Sequence, residues 1–170
     1  MDSSTSRSVE NVALVPGRPA PVAAPRGLPI MSDASRRLAG ILLLTLPGVV
    51  AGGASILAMI DDPAYRSNAL RQDLWRAGHA HAGVLLVLAL VALRYVDETQ
   101  LSHRWRGFAR HSIPAAAVLL PLAFFGSVTD ADATEPNVLI NLAYVGGALL
   151  TAGLVTLGIG LVRATPPAPH

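Results

Sequence analysis

The chain has 170 residues, of which 52% are hydrophobic and 14% charged, with a mean hydropathy of +0.48 and a formal net charge of +2. Soluble domains carry about 25% charged residues, so the deficit points to a membrane protein. Cysteine is absent, which excludes disulfides, thiolate chemistry and cysteine-held zinc or iron–sulfur sites. The small net charge gives no sign of a nucleic-acid partner.

Residues 1–35 read as a disordered, cytoplasmic Pro/Ala-rich tail, because Pro16, Pro19, Pro21, Pro25 and Pro29 fall too close together for a helix. No basic segment leads directly into an apolar core with a small-residue cleavage site, so a signal peptide is not expected. The membrane domain, 36–163, follows. Its first apolar run, 38–60, is uncharged and long enough to cross a hydrocarbon core of about 30 Å. Pro47 should kink it.

The loop after it opens with Asp62 as an N-cap and Pro63 in the first helical position, which predicts a short surface helix. The second run, 77–96, begins with the histidines of WRAGHAHAG. Next comes LSHRWRGFARH, where Leu101, Trp105 and Phe108 recur at helical spacing among arginines. Such a stretch suits the surface of an anionic leaflet. The third run, 113–128, is short and carries Pro114 and Pro121. The loop DADATEPN is acidic, and Thr134 is placed to cap the fourth run, 138–162. Residues 164–170 form a C-terminal tail. Spans one and four show no polar face, so the sequence predicts an all-α bundle of four transmembrane helices.

Arginine sets the orientation. With both termini cytoplasmic, the inner side holds Arg36, Arg37, Arg94, Arg104, Arg106, Arg110 and Arg163 besides the tail arginines, and the outer side only Arg66, Arg71 and Arg76. A multi-pass protein of the plasma (inner) membrane is the expected setting. Tyr65 and Trp75 would anchor the outer interface, and Tyr95 and Trp105 the inner one.

His79 and His81 are the candidate metal or cofactor ligands. Two residues apart on a helix, they differ by about 200° in direction and do not chelate one metal from a regular helix. Each would face a different neighbouring helix or a different cofactor. Carboxylates to complete a site stand at the outer ends of the spans: Asp61, Asp62, Asp130, Asp132 and Glu135. Histidine with carboxylate suits a divalent transition metal. The alternating oxygens of DADATE lack the glycine turn and the frame of an EF-hand.

The H-x-H spacing of His79 and His81 resembles the histidine helix of haem–copper oxidase catalytic subunits, whose two histidines look in opposite directions and bind two different haems. The likeness covers three residues, and those subunits have many more spans. GHAHAGVLLVLALV is similar to stretches in multi-pass membrane proteins of high-GC Gram-positive bacteria, a likeness that implies no activity.

Small residues line the spans. Gly48 and Gly52 form a GxxxG, Ala143, Gly147 and Thr151 repeat every four residues, and so do Thr156 and Gly160. Such stripes let helix backbones approach closely, within the bundle, in a homodimer or in a larger membrane complex. No phosphate loop, Ser–His–Asp pattern or buried carboxylate pair is evident, and small loops leave little room for a catalytic domain. The reading preferred on the sequence is a structural or accessory subunit in the lipid bilayer. The alternatives are a metal- or haem-binding redox protein using the histidine pair, and a transporter of protons or small solutes.

Overall fold

A computed structural model describes residues 31–164, and the tails at 1–30 and 165–170 lie outside the described residues. Five α-helices follow in order: α1 (Asp33–Ala58), α2 (Pro63–Ser67), α3 (Ala69–Val96), α4 (His103–Gly126) and α5 (Leu142–Val162), the last entered through a 3-10 turn (Val138–Asn141). No strand occurs among the described residues. Four helical segments, α1, α3, α4 and Val138–Val162, are long and apolar enough to cross a membrane.

The helices outrun the apolar runs because hydropathy marks hydrocarbon while a helix continues until something caps it. Helix α1 starts at Asp33, inside the segment expected to be tail, because the Ser32 hydroxyl accepts the Ser35 N–H at 3.3 Å. Asp62 caps α2 from the Ala64 N–H at 2.8 Å, with Pro63 in the first turn, as the loop sequence requires. That helix stops at Asn68. The Asn68 Oδ1 accepts the Arg71 N–H at 3.0 Å, so α3 begins at Ala69, two turns before the apolar run. The fourth span is capped by Asn137, whose Oδ1 accepts the Leu139 N–H at 2.9 Å, and not by Thr134.

The basic stretch expected to lie on a leaflet is instead the start of α4. The helix runs through Gly107 and Pro114 without interruption, and Arg110 is drawn inward to Asp97 (below). Tyr65 is also not a rim anchor: it is 2% exposed. Tyr95 and Trp105 are exposed.

The core lies between α3 and α4. Leu85, Ala89, Ala92 and Val96 on α3 recur at steps of four and three, as do Ala109, Ile113, Ala116, Leu120 and Ala123 on α4, and all are buried. This is the heptad spacing of a supercoiled seam, with alanines opposite larger side chains. In lipid such a seam is held by close packing, since apolar surface gains nothing by leaving acyl chains. Helix α1 packs on α3, and α5 packs on α4.

Helix α5 is seated through glycines seven residues apart. A methyl group at Gly146 would come 2.9 Å from Leu120, one at Gly153 2.2 Å from the Ser112 hydroxyl, and one at Gly160 2.7 Å from Leu101. At Gly48, Gly52 and Gly147, by contrast, such a methyl would meet nothing within 4 Å. Of the glycines in the sequence stripes, only Gly160 is therefore closely packed among the described residues.

Candidate functional site

The long helix α3 carries both histidines in mid-course, about 15–18 Å from its first residue by helical rise. They lie deeper along their helix than the apolar run alone suggests. Their 200° separation sends them to different neighbours. His79 meets α1, where a methyl at Gly53 would sit 2.8 Å from its Cε1 and 2.9 Å from its Nε2. A side chain there would require the ring to move. His81 turns to α4, its ring 5.0 Å from that of Phe124, and its Nδ1 lies 2.7 Å from the Ala77 carbonyl. His81 is thus tied to its own helix and packed.

The His79 ring opens onto a groove of about 620 Å³ between α1 and α3, lined by Leu46, Val49, Gly53, Leu57, Gly83 and Val87 among others. Every other lining residue is apolar or glycine, so this imidazole is the groove's one polar side chain.

The candidate acids are not gathered around either ring. Asp61 is exposed, and Asp62 is used as the α2 cap. Asp130 accepts the Asp132 N–H at 3.1 Å within its own loop, and Asp132 and Glu135 are exposed there. Among the described residues, no group of three His, Asp or Glu side chains is placed to hold a metal ion.

What surrounds the histidine end is aromatic. Tyr65 and Phe125 lie on either side of Trp75 with ring centroids at 6.1 Å, and the Arg71 guanidinium stands 4.5 Å over the Trp75 ring. Gly78 makes room for Phe125, which a methyl there would approach to 3.0 Å. The Tyr65 hydroxyl, Arg71 Nε and Trp75 Nε1 are buried with no hydrogen-bond partner among the described residues. Asn68 closes this end: its Nδ2 donates to the carbonyls of Ala131 and Ala133, both at 2.9 Å, fixing the acidic loop to the start of α3.

The opposite end holds a polar junction that reading by spans misses. Arg110 on α4 donates to Asp97 Oδ1 at 2.8 Å and, through Nε, to the Ser35 hydroxyl at 2.9 Å. The Ser32 N–H donates to Asp97 Oδ2 at 3.0 Å. Ser35 is fully buried, and the charged side chains are only 10% and 15% exposed. Burial opposes ionisation of Asp97, but hydrogen bonds from Ser35, from the N–H and hydroxyl of Ser32, and from Arg110 outweigh it and hold the carboxyl below its usual range. One ion pair thereby joins the start of α1, the end of α3 and α4. The available signal was Arg110, a charge placed between the core residues Ala109 and Ile113.

Fold, composition and the placement of charge at the helix ends define the class: an all-α membrane protein of four spanning helices. No family model, curated protein or solved structure matches the chain.

Proposed function

We propose that this chain is an accessory subunit of a membrane assembly and docks through α1. The observation that carries this reading is the bareness of α1. In its most apolar stretch only 6% of residues are buried, and a methyl added at Gly48 or Gly52 would meet nothing within 4 Å among the described residues. Small residues at such spacing are the usual contact surface between membrane helices. The arginine-rich end faces the cytoplasm, because Arg36, Arg37, Arg94, Arg104, Arg106, Arg110 and Arg163 gather there, against Arg66, Arg71 and Arg76 at the acidic end.

The test is the mass of the chain after mild extraction. Wild-type protein should run as a complex, with a second copy or a fixed partner. Gly48→Leu with Gly52→Leu should reduce it to a monomer with unchanged thermal stability. A wild-type monomer, with no cross-linked species in the native membrane, overturns the proposal.

A second reading rests on His79, which points into an apolar groove while His81 is tied to its own helix. A haem or a transition metal at His79 would draw its other ligands from a partner. A Soret band, or stoichiometric metal lost in His79→Ala and kept in His81→Ala, would support it. Colourless, metal-free protein would remove it.

A further inference from the structure

We propose that the groove between α1 and α4, at the arginine-rich end, is a binding site for one anionic phospholipid. The groove measures about 590 Å³. Its walls include Leu42 and Thr45 of α1 and Ala117 and Pro121 of α4, and Leu86 of α3 forms its floor. Thr45 does not make it polar, because its hydroxyl donates to the Leu42 carbonyl at 2.7 Å.

Two features fit a lipid of one leaflet. The first is length. The lining runs from Leu38 to Val49 on α1 and from His111 to Pro121 on α4. By helical rise each wall is about 15–17 Å long, half of a hydrocarbon core of about 30 Å. The groove therefore matches the acyl depth of a single leaflet and opens sideways, as an acyl chain requires.

The second is charge. At this end the described acids are Asp33, Asp97 and Glu98, and each is paired: with Arg36, Arg110 and Arg94 in turn. The surplus is basic, and part of it stands at the mouth of the groove. Arg37 lies one turn before Ile41 on the α1 wall, and Arg104 lies seven residues, two turns, before His111 on the α4 wall. Both arginines are exposed. Gly107 lies between Arg104 and His111, with nothing within 4 Å of where a side chain would start, and its carbonyl fixes the His111 Nδ1 at 2.8 Å. An apolar slot one leaflet deep with unneutralised cations at its headgroup level suits a phosphate-bearing anionic lipid.

The full-length chain, reconstituted in nanodiscs of mixed phosphatidylcholine and phosphatidylglycerol and released into detergent, is weighed intact by native mass spectrometry. One phosphatidylglycerol per chain should be retained. At about fivefold in affinity for each basic residue near the surface, Arg37→Gln with Arg104→Gln should weaken retention about thirtyfold. Arg163→Gln, at the same end but on the far side beside Trp105 and Ile159, should leave it unchanged. Val118→Trp should expel the lipid without lowering the melting temperature, since Val118 is 60% exposed on the rim of the groove. Equal retention of phosphatidylcholine, equal loss in Arg163→Gln, or full retention in Val118→Trp each overturns the proposal.

Discussion

Helices α1 and α5 flank the α3–α4 core and are near twins in hydropathy, yet the chain holds them differently. In their most apolar stretches 6% of α1 residues are buried and 22% of those in the α5 span. Helix α5 is seated along its length by Gly146, Gly153 and Gly160, each against a side chain of α4 or of the segment before it. Helix α1 lies on α3 through Leu42 and its neighbours, with the Arg110–Asp97–Ser35 junction at one end and the Gly53–His79 contact near the other. Apolar character decides that a helix resides in lipid. Which helix is gripped depends on where side chains are small enough for backbones to meet.

The largest effect should come from the junction. Arg110→Ala leaves the Asp97 carboxylate buried and unpaired, which costs about 3 kcal/mol in unfolding measured in mixed micelles. Hydrogen exchange should locate the damage: amide protection falls in the first turns of α1 and is unchanged in α5. The pH dependence has a definite sign. Asp97 is held below its ordinary value, so its contribution is complete above the unfolded carboxyl value of about 3.9 and is lost as pH falls through the lower folded value. Protection of α1 should be flat from about pH 7 to 5 and drop below about pH 4. Asp97→Asn should abolish that acid limb. Loss of protection shared equally by α5 would break the contrast between the two helices.

Next in size is the seat of α5. A leucine at Gly153 drives side-chain atoms into Ser112 and Ile113 across the interface, a cost of about 2 kcal/mol. Leucine at Gly147, six residues earlier and facing open space, should stay within about 0.5 kcal/mol. Thermal unfolding of the two variants side by side separates packed from lipid-facing glycine.

That contrast also shows what the sequence could carry. Four spans and their order are legible in hydropathy alone, because each apolar run is nearly free of charge, even the short third one. Asp62 and Pro63 announce α2 through cap chemistry that acts within two residues. The small-residue stripes were less informative: spacing shows that a helix has a small-residue face, but not which face a neighbour takes. Gly147 and Gly153 are both glycines of α5, and only the path of α4 distinguishes them. The histidine pair followed local geometry, since 200° of helix sends His79 to α1 and His81 to α4 wherever those helices stand on either side. The Asp97–Arg110 pair was hidden for the opposite reason. Its members are thirteen residues apart with a turn between them, and each reads as a flanking charge until α3 and α4 are set together.

The smallest effect tests the second hold on α1. Alanine at Gly53 places a methyl 2.8 Å from the Cε1 of His79, but the ring is the free end of a side chain and can swing toward the groove. The cost is therefore about 1 kcal/mol, below that of the rigid α5 contact. Removing the ring removes the clash, so Gly53→Ala should cost nothing in a His79→Ala background, giving a coupling of about 1 kcal/mol in a double-mutant cycle. Equal effects of Gly53→Ala in both backgrounds would mean that the imidazole does not bear on α1. The junction and the Leu42 packing would then hold α1, and α1 would be free to lean away from α3 at the histidine end. A measured coupling would instead make His79 a packing residue, and any ligand entering its groove would have to displace the ring from Gly53 and loosen α1 with it.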